Sequence, residues 1–193
     1  MKKKNLLTIL VAVALVAALA VGATLAYFTD KDSASNTFTM GKVAIDLQES
    51  DNGETWVEDG LEYTGVMPGN TETKIAKVTV ADDSSNCYLQ IQAVITSADL
   101  SAEDLASITD QVVAAIGSDW TVVQAGNTLT CTYNTELAAN DAVTLFSSIE
   151  FPTTFGNSFA GKSFGIELNA YAIQAANMTL DTAAWDYTTF EAA

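Results

Sequence analysis

Hydrophobic and polar residues alternate along most of the chain beyond residue 37, which is the pattern of strands with one buried face. In the clearest segment, 87–96, the apolar face consists of Cys87, Leu89, Ile91, Ala93 and Ile95. The same period of two predicts strands at 73–81, 119–125, 128–134, 142–151 and 163–175, with a weaker strand within 54–63. Turns rich in glycine, asparagine and aspartate separate these segments, so the pattern favours antiparallel strands.

An earlier strand is predicted where Val43, Ile45 and Leu47 continue the alternation. The apolar positions of residues 38–40 fall on the opposite phase. A β-bulge at Gly41 would explain this change of face, because a bulge inserts one extra residue into a strand.

One segment, from Ser101 to about Ile116, has the period of an amphipathic helix instead. Ser101 is a good N-cap, and Asp104 occupies the capping-box position three residues later. The apolar stripe consists of Leu105, Ile108, Val112 and Ile116. This stripe predicts a helix packed over one end of the β-structure.

About eight strands and one helix indicate an all-β fold. The expected architecture is a jelly roll or two-sheet antiparallel β-sandwich with one or more short helices. The 193-residue chain less its first 26 residues has the length of one domain.

The first 26 residues have the composition of an export signal. Three lysines at positions 2–4 precede an apolar run from Leu6 to Val21, and small residues follow at Thr24 and Ala26. We therefore expect cleavage between Ala26 and Tyr27 and contact with the membrane only before that cleavage. An uncleaved membrane anchor is the alternative, because the apolar stretch approaches the roughly 20 residues that span a bilayer.

The charge of the chain excludes several functions. It contains 24 acidic residues, eight lysines, and neither histidine nor arginine. Three of the lysines lie in the signal, so five remain against 24 acidic residues, and the net charge changes from −16 to −19. This charge repels nucleic acids, whose affinity for proteins comes largely from lysine and arginine. The missing histidine excludes the usual catalytic triads and histidine-ligated zinc.

Residues 156–163 match the phosphate-loop pattern of glycine, four residues and Gly-Lys-Ser. That chemistry needs a helix after the loop, whereas Phe164, Ile166 and Leu168 predict a strand. We interpret the segment as a hairpin turn that carries Lys162.

Acidic groups occur at three places and could in principle bind calcium. They are Asp51 to Glu54, Asp82-Asp83, and Asp99 with Glu103-Asp104. None has the spacing of a known calcium loop, so solvated turns are the simpler interpretation, and no metal or other cofactor is expected.

Cys87 and Cys131 each lie on the apolar face of a predicted strand. A disulfide between them is possible in an exported protein, and two buried thiols would give the same pattern.

In several places the sequence resembles the TasA/camelysin family of exported bacterial proteins. The matching stretches are 22–26 with Tyr27-Phe28-Thr29-Asp30, 36–43, Pro68-Gly69 followed by Lys74, 87–90, and 171–175 with Trp185. Gln90 stands where many relatives carry an arginine.

The resemblance implies processing by a signal peptidase of the SipW type, a jelly-roll domain at 37–193, and secretion to the extracellular matrix or cell surface. There the subunits would assemble into homo-oligomeric fibres of the biofilm matrix, with other matrix proteins as possible partners. Residues 27–36, here termed the assembly segment, would add as a strand to the next subunit. Its named positions are Tyr27, Phe28, Thr29, Asp30, Ala34 and Asn36.

Two other functions stay open at this point. One is the metallopeptidase activity that the name camelysin carries, which the missing histidine disfavours. The other is a monomeric glycan-binding jelly roll, in which Trp56, Trp120 and Trp185 would stack on sugars.

Export is predicted to remove residues 1–26, because the charged, apolar and small-residue order ends at Ala26. N-terminal sequencing and intact mass of the secreted protein should give Tyr27 as the first residue. A cell-bound protein that keeps the apolar run from Leu6 to Val21 would contradict this prediction.

Overall fold

The computed structural model describes residues 11–16, 42–183 and Trp185. The chain divides into two compact units, 1–39 and 40–193. In the first unit residues 11–16 are helical and exposed. None of the helices described is long and apolar enough to cross a membrane. The predicted cleavage site and the whole assembly segment, with the residues named above from Tyr27 to Asn36, lie outside the described residues.

The second unit consists mainly of strands. In chain order the elements are β1 (Ile45–Ser50), β2 (Thr71–Val80), β3 (Cys87–Thr96), α1 (Ala102–Ala115), β4 (Trp120–Ala125), β5 (Thr128–Tyr133), β6 (Ala142–Glu150), β7 (Gly165–Gln174) and a 3₁₀ turn (Leu180–Thr182). The strands form two sheets, one with the order β1-β2-β6 and one with the order β4-β5-β3-β7. Every pairing is antiparallel, so the predicted all-β sandwich is confirmed.

The core lies between the two sheets. The five apolar residues that alternate along β3 are at most 1% exposed, and they cluster with Ala76, Val78 and Val80 of β2. Removing such side chains from water stabilises the fold by about 1.5–3 kcal/mol for each large one. The period-two pattern therefore predicts the buried face of these strands correctly.

Two predictions about the first part of the domain need correction. The weak strand within 54–63 is wrong: this segment is a loop whose single β-bridge joins Val57 to Glu49. Gly53 and Gly60 adopt positive φ angles there and interrupt an extended path. The first strand starts only at Ile45, and the proposed bulge at Gly41 lies outside the described residues.

The predicted helix and its cap are confirmed. The Ser101 side chain accepts a hydrogen bond from the Asp104 amide at 3.1 Å and donates one to the Asp104 carboxylate at 2.8 Å. The buried residues Leu105, Ile108 and Val112 turn the apolar stripe towards β6 and β3. Beyond the helix, Gly117 and Trp120 donate hydrogen bonds to β6 carbonyls, so the outer edge of β6 is partly covered.

The segment that resembles a phosphate loop is a connection between sheets. Residues 156–163 link β6 of one sheet to β7 of the other, and a strand follows them as predicted. The interpretation as a hairpin turn is wrong, because β6 and β7 do not pair.

In the structure both cysteines are free thiols. Cys131 on β5 lies opposite Ile91, whereas Cys87 lies four residues earlier on β3. At roughly 3.3 Å per residue this offset is about 13 Å along the strand, well beyond the about 7 Å that a disulfide bridges. Burial raises the pKa of Cys87 to about 11, with smaller contributions from Glu136 and Asp141, and raises that of Cys131 to about 12.

We predict that the two thiols react with a thiol reagent only after unfolding. Both are fully buried, and their raised pKa values reduce the reactive thiolate fraction at pH 8 about a hundredfold or more. Titration in denaturant without reductant should count two thiols, and native protein should react at least about 100-fold more slowly. A count of zero in denaturant would mean that the cysteines are bonded.

Candidate functional site

The edge strands of the two sheets meet on one side of the sandwich. The three-stranded sheet ends at β1 and the four-stranded sheet ends at β7. These two edge strands contact each other across the sandwich. We call the surface between them the open flank.

The outer edge of β1 is paired at one end and, among the described residues, unpaired at the other. Glu49 exchanges two hydrogen bonds with Val57, at 2.8 and 2.9 Å, on the side of β1 that faces away from β2. Because main-chain groups alternate sides along an antiparallel strand, those of Ile45 and Leu47 point the same way. Within the part of the chain that the structure describes, no main-chain group pairs with them.

The inner face of β7 is incompletely covered. Four apolar side chains point from β7 into the sandwich but stay half-buried, namely Ile166, Leu168, Ala170 and Ala172. Their cross-strand partners on β3 are at most 1% exposed. β3 lies between β5 and β7 in its sheet, whereas β7 is an edge strand. The same four residues turn their main-chain groups to the edge of β7 that faces away from β3, since Ala175 and the odd-numbered positions bond towards β3.

The other edge of this sheet offers no comparable surface. β4 is six residues long, and four of its side chains are exposed. Its buried residue, Trp120, packs against Tyr133 with ring centroids 5.1 Å apart.

A cavity of about 1160 Å³ opens on the flank between β1, β2 and β7 and the loops beside them. Aromatic rings form one wall. Phe155 stacks on Phe159 with centroids 4.2 Å apart, and Phe151 lies 6.4 Å from Phe155 and 6.0 Å from Phe164. This wall and the half-buried face of β7 make the cavity suitable for apolar side chains.

A buried ion pair lies at the β1 and β2 side of the cavity. Lys74 and Glu49 are each 7% exposed, and the Lys74 ammonium donates a hydrogen bond to the Glu49 carboxylate. The ring of Tyr63 covers Lys74 at 5.9 Å, and its hydroxyl donates to the Thr73 carbonyl at 2.7 Å. Burial, followed by the charges of Asp51, Glu49 and Glu72, raises the pKa of Tyr63 to about 12.

The alternation of residues along β1 and β2 could have indicated the ion pair from the sequence. Lys74 shares the phase of Ala76 and Val78, and Glu49 shares that of Ile45 and Leu47. A charged residue on the apolar phase of a strand indicates either a partner inside the fold or a site. Lys74 entered the sequence analysis only as part of the family resemblance.

The acidic groups considered for calcium make other contacts. Asn52 and Ser50 organise the turn at Asp51 to Glu54, Lys42 pairs with Asp83 at 2.9 Å, and Asp104 caps α1. Among the described residues no three histidine, cysteine or acidic side chains come together in a metal-binding arrangement.

Two of the three tryptophans are engaged in packing. Trp120 is 6% exposed and donates to the Thr144 carbonyl, and the Lys77 ammonium lies 3.6 Å above the half-buried Trp56 ring. Trp185 is half-buried. The tryptophans therefore do not form a flat exposed row of the kind that stacks on sugars.

A family model described as camelysin metallo-endopeptidase matches residues 1–110. This match covers more than half of the chain and extends through β1, β2 and β3. The chain belongs to the camelysin family. The resemblance noted in the sequence is confirmed at this level. Comparison with curated proteins gave no match, and neither did comparison with solved structures.

The family description implies a catalytic metal, and the residues of this camelysin-family chain do not fit a peptidase zinc site. Such sites use histidine nitrogens together with carboxylates, and the chain has no histidine. The remaining soft ligands, Cys87 and Cys131, lie inside the core on strand positions about 13 Å apart in register. The donor set of this chain therefore does not fit a peptidase zinc site.

Proposed function

We propose that this chain is a secreted structural subunit of extracellular fibres in a biofilm matrix. Subunits would be joined when the assembly segment of one copy adds as a strand to the open flank of the next. The observation that supports this most is the β1 edge at Ile45 and Leu47, which has no main-chain partner among the described residues and belongs to a strand that contacts β7 with its half-buried apolar face.

An added strand would supply what the open flank lacks. Pairing along β1 would satisfy the main-chain groups of Ile45 and Leu47, and it would cover Ile166 and Leu168 of β7. The assembly segment has ten residues and could extend roughly 33 Å, which exceeds the roughly 20 Å length of β1. Its length is sufficient for the role.

The composition of the assembly segment favours a destination outside its own core. It is mostly polar, and its apolar residues are Tyr27, Phe28 and Ala34. The aromatic wall of the cavity offers a place for one such ring. Because donor and acceptor are different surfaces, the contact repeats from subunit to subunit and forms a filament.

Export and charge set when assembly occurs. While the signal is attached, the assembly segment is held at the membrane, so polymerisation starts after cleavage outside the cell. The mature charge of −19 opposes subunit association. Salt, divalent cations or low pH should therefore promote assembly.

The family description favours a second candidate function, a metallo-endopeptidase. We propose that this chain is not an enzyme, because its donor set lacks the nitrogen ligands of such enzymes. Carboxylates alone would also be poor ligands for generating zinc-bound hydroxide at neutral pH.

Fibres are predicted to require both the assembly segment and the apolar face of β7. Residues 27–193 should form fibres in electron micrographs, and residues 37–193 should stay monomeric. Leu168→Lys should also prevent assembly, because it places a charge among the half-buried residues that the added strand would cover.

Asn169→Lys is the matched control for this variant. Asn169 is the next residue on β7 and points to the opposite face of the sheet, so the same change in charge should leave fibres intact. Circular dichroism should show both variants folded. Fibres of normal appearance from residues 37–193 would rule out the assembly segment as the connector.

The mature protein is predicted to hydrolyse casein no faster than a buffer blank, with or without added zinc. The reason is the absence of histidine ligands. Activity that co-purifies with the chain and disappears on substitution of one of the cavity carboxylates would establish the peptidase function instead.

A further inference from the structure

Three groups suited to covalent chemistry share one face of the three-stranded sheet. Lys74 and Glu49 form the buried ion pair, and Glu72 lies two residues before Lys74 on the same face of β2. Glu72 is paired in register with the buried Ile149, so this face is the inner one. All three side chains line the cavity.

From this arrangement we propose that Lys74 and Glu49 become joined by an intramolecular amide bond in the folded domain, with Glu72 as the proton-transfer group. The bond would fasten β1 to β2. The inference is independent of the fibre function, because it concerns a bond within one subunit.

The geometry places the reacting atoms together without any large movement. The Lys74 nitrogen already contacts the Glu49 carboxylate. Six consecutive residue pairs hold β1 against β2 and so fix the backbone beside both side chains. Fixing two reacting groups in contact replaces a bimolecular encounter by an intramolecular one, with effective concentrations of about 10⁵ M or more. A lysine and a carboxylate in water lack this advantage.

Burial also keeps bulk water away from the two groups. Both side chains are 9% exposed, and Lys74 lies beside the Tyr63 ring. Few water molecules can therefore compete with the Lys74 nitrogen for the Glu49 carboxyl carbon. Lys77 on the same strand provides a contrast, because it points outward over Trp56 and has no carboxylate partner among the described residues.

The reaction balances without an oxidant, a reductant or another co-reactant. The Lys74 ammonium first passes one proton to the Glu49 carboxylate that it contacts. The Lys74 nitrogen then attacks the carboxyl carbon of Glu49, a C–N bond forms, and the bond from that carbon to the protonated oxygen breaks. Glu72 accepts a proton from the nitrogen and returns it to the departing oxygen, which leaves as water. The cavity opening gives that water a route out.

Mass spectrometry of the denatured mature protein tests the proposal. We expect an intact mass lower than the sequence by one water. Trypsin should leave the chain uncut after Lys74 and cut it after Lys77, giving a peptide of residues 43–77 that is also one water lighter. A second digestion after the glutamates at 54, 58 and 62 should leave its two ends linked.

Variants distinguish the proposed amide bond from other reactions that remove one water from the chain. Lys74→Arg keeps a cation and should restore the full mass, whereas dehydration at the Asp59-Gly60 sequence would persist in that variant. Glu72→Gln should restore the full mass in all or most molecules. Complete linkage in Glu72→Gln would overturn the role of Glu72, and a parent protein of full mass that is cut after Lys74 would overturn the bond itself.

Discussion

The strand order of the two sheets is the constraint on which the rest of this structure depends. It makes β1 and β7 edge strands that contact each other, and β7 has a half-buried apolar face there. Among the described residues, the main-chain groups of Ile45 and Leu47 on β1 have no main-chain partner. The outer edge of β6 is partly covered, because Gly117 and Trp120 donate hydrogen bonds to its carbonyl groups. Exposed edges with apolar surface normally invite pairing with another chain. Among the described residues, the open flank combines such an edge with apolar surface.

The strongly acidic composition opposes association of subunits through the open flank. Charge repulsion opposes association between copies of the chain unless a specific contact outweighs it. The flank itself combines apolar and aromatic residues with one buried ion pair. A peptidase would need ligands that the composition does not contain, so the family description and the chemistry of this chain point in different directions.

Local sequence patterns predicted the parts of the fold that depend on local rules. The alternation along β3, the strands around it and the Ser101 cap were all predicted, because burial of one strand face and capping of a helix depend on residues that are close together in the chain. The order of strands in the sheets was not predicted, since it depends on contacts between residues that are distant in the chain. The open flank is a property of that order, and for this reason the sequence alone did not indicate it.

A fibre structure by electron cryomicroscopy tests the central claim most directly, because it reveals what pairs with β1. Fibres grown from residues 27–193 should show residues 27–36 of one subunit hydrogen-bonded along the Ile45 and Leu47 edge of the next, above Ile166 and Leu168. Fibres in which that edge stays unpaired, or in which another surface joins the subunits, would contradict the account.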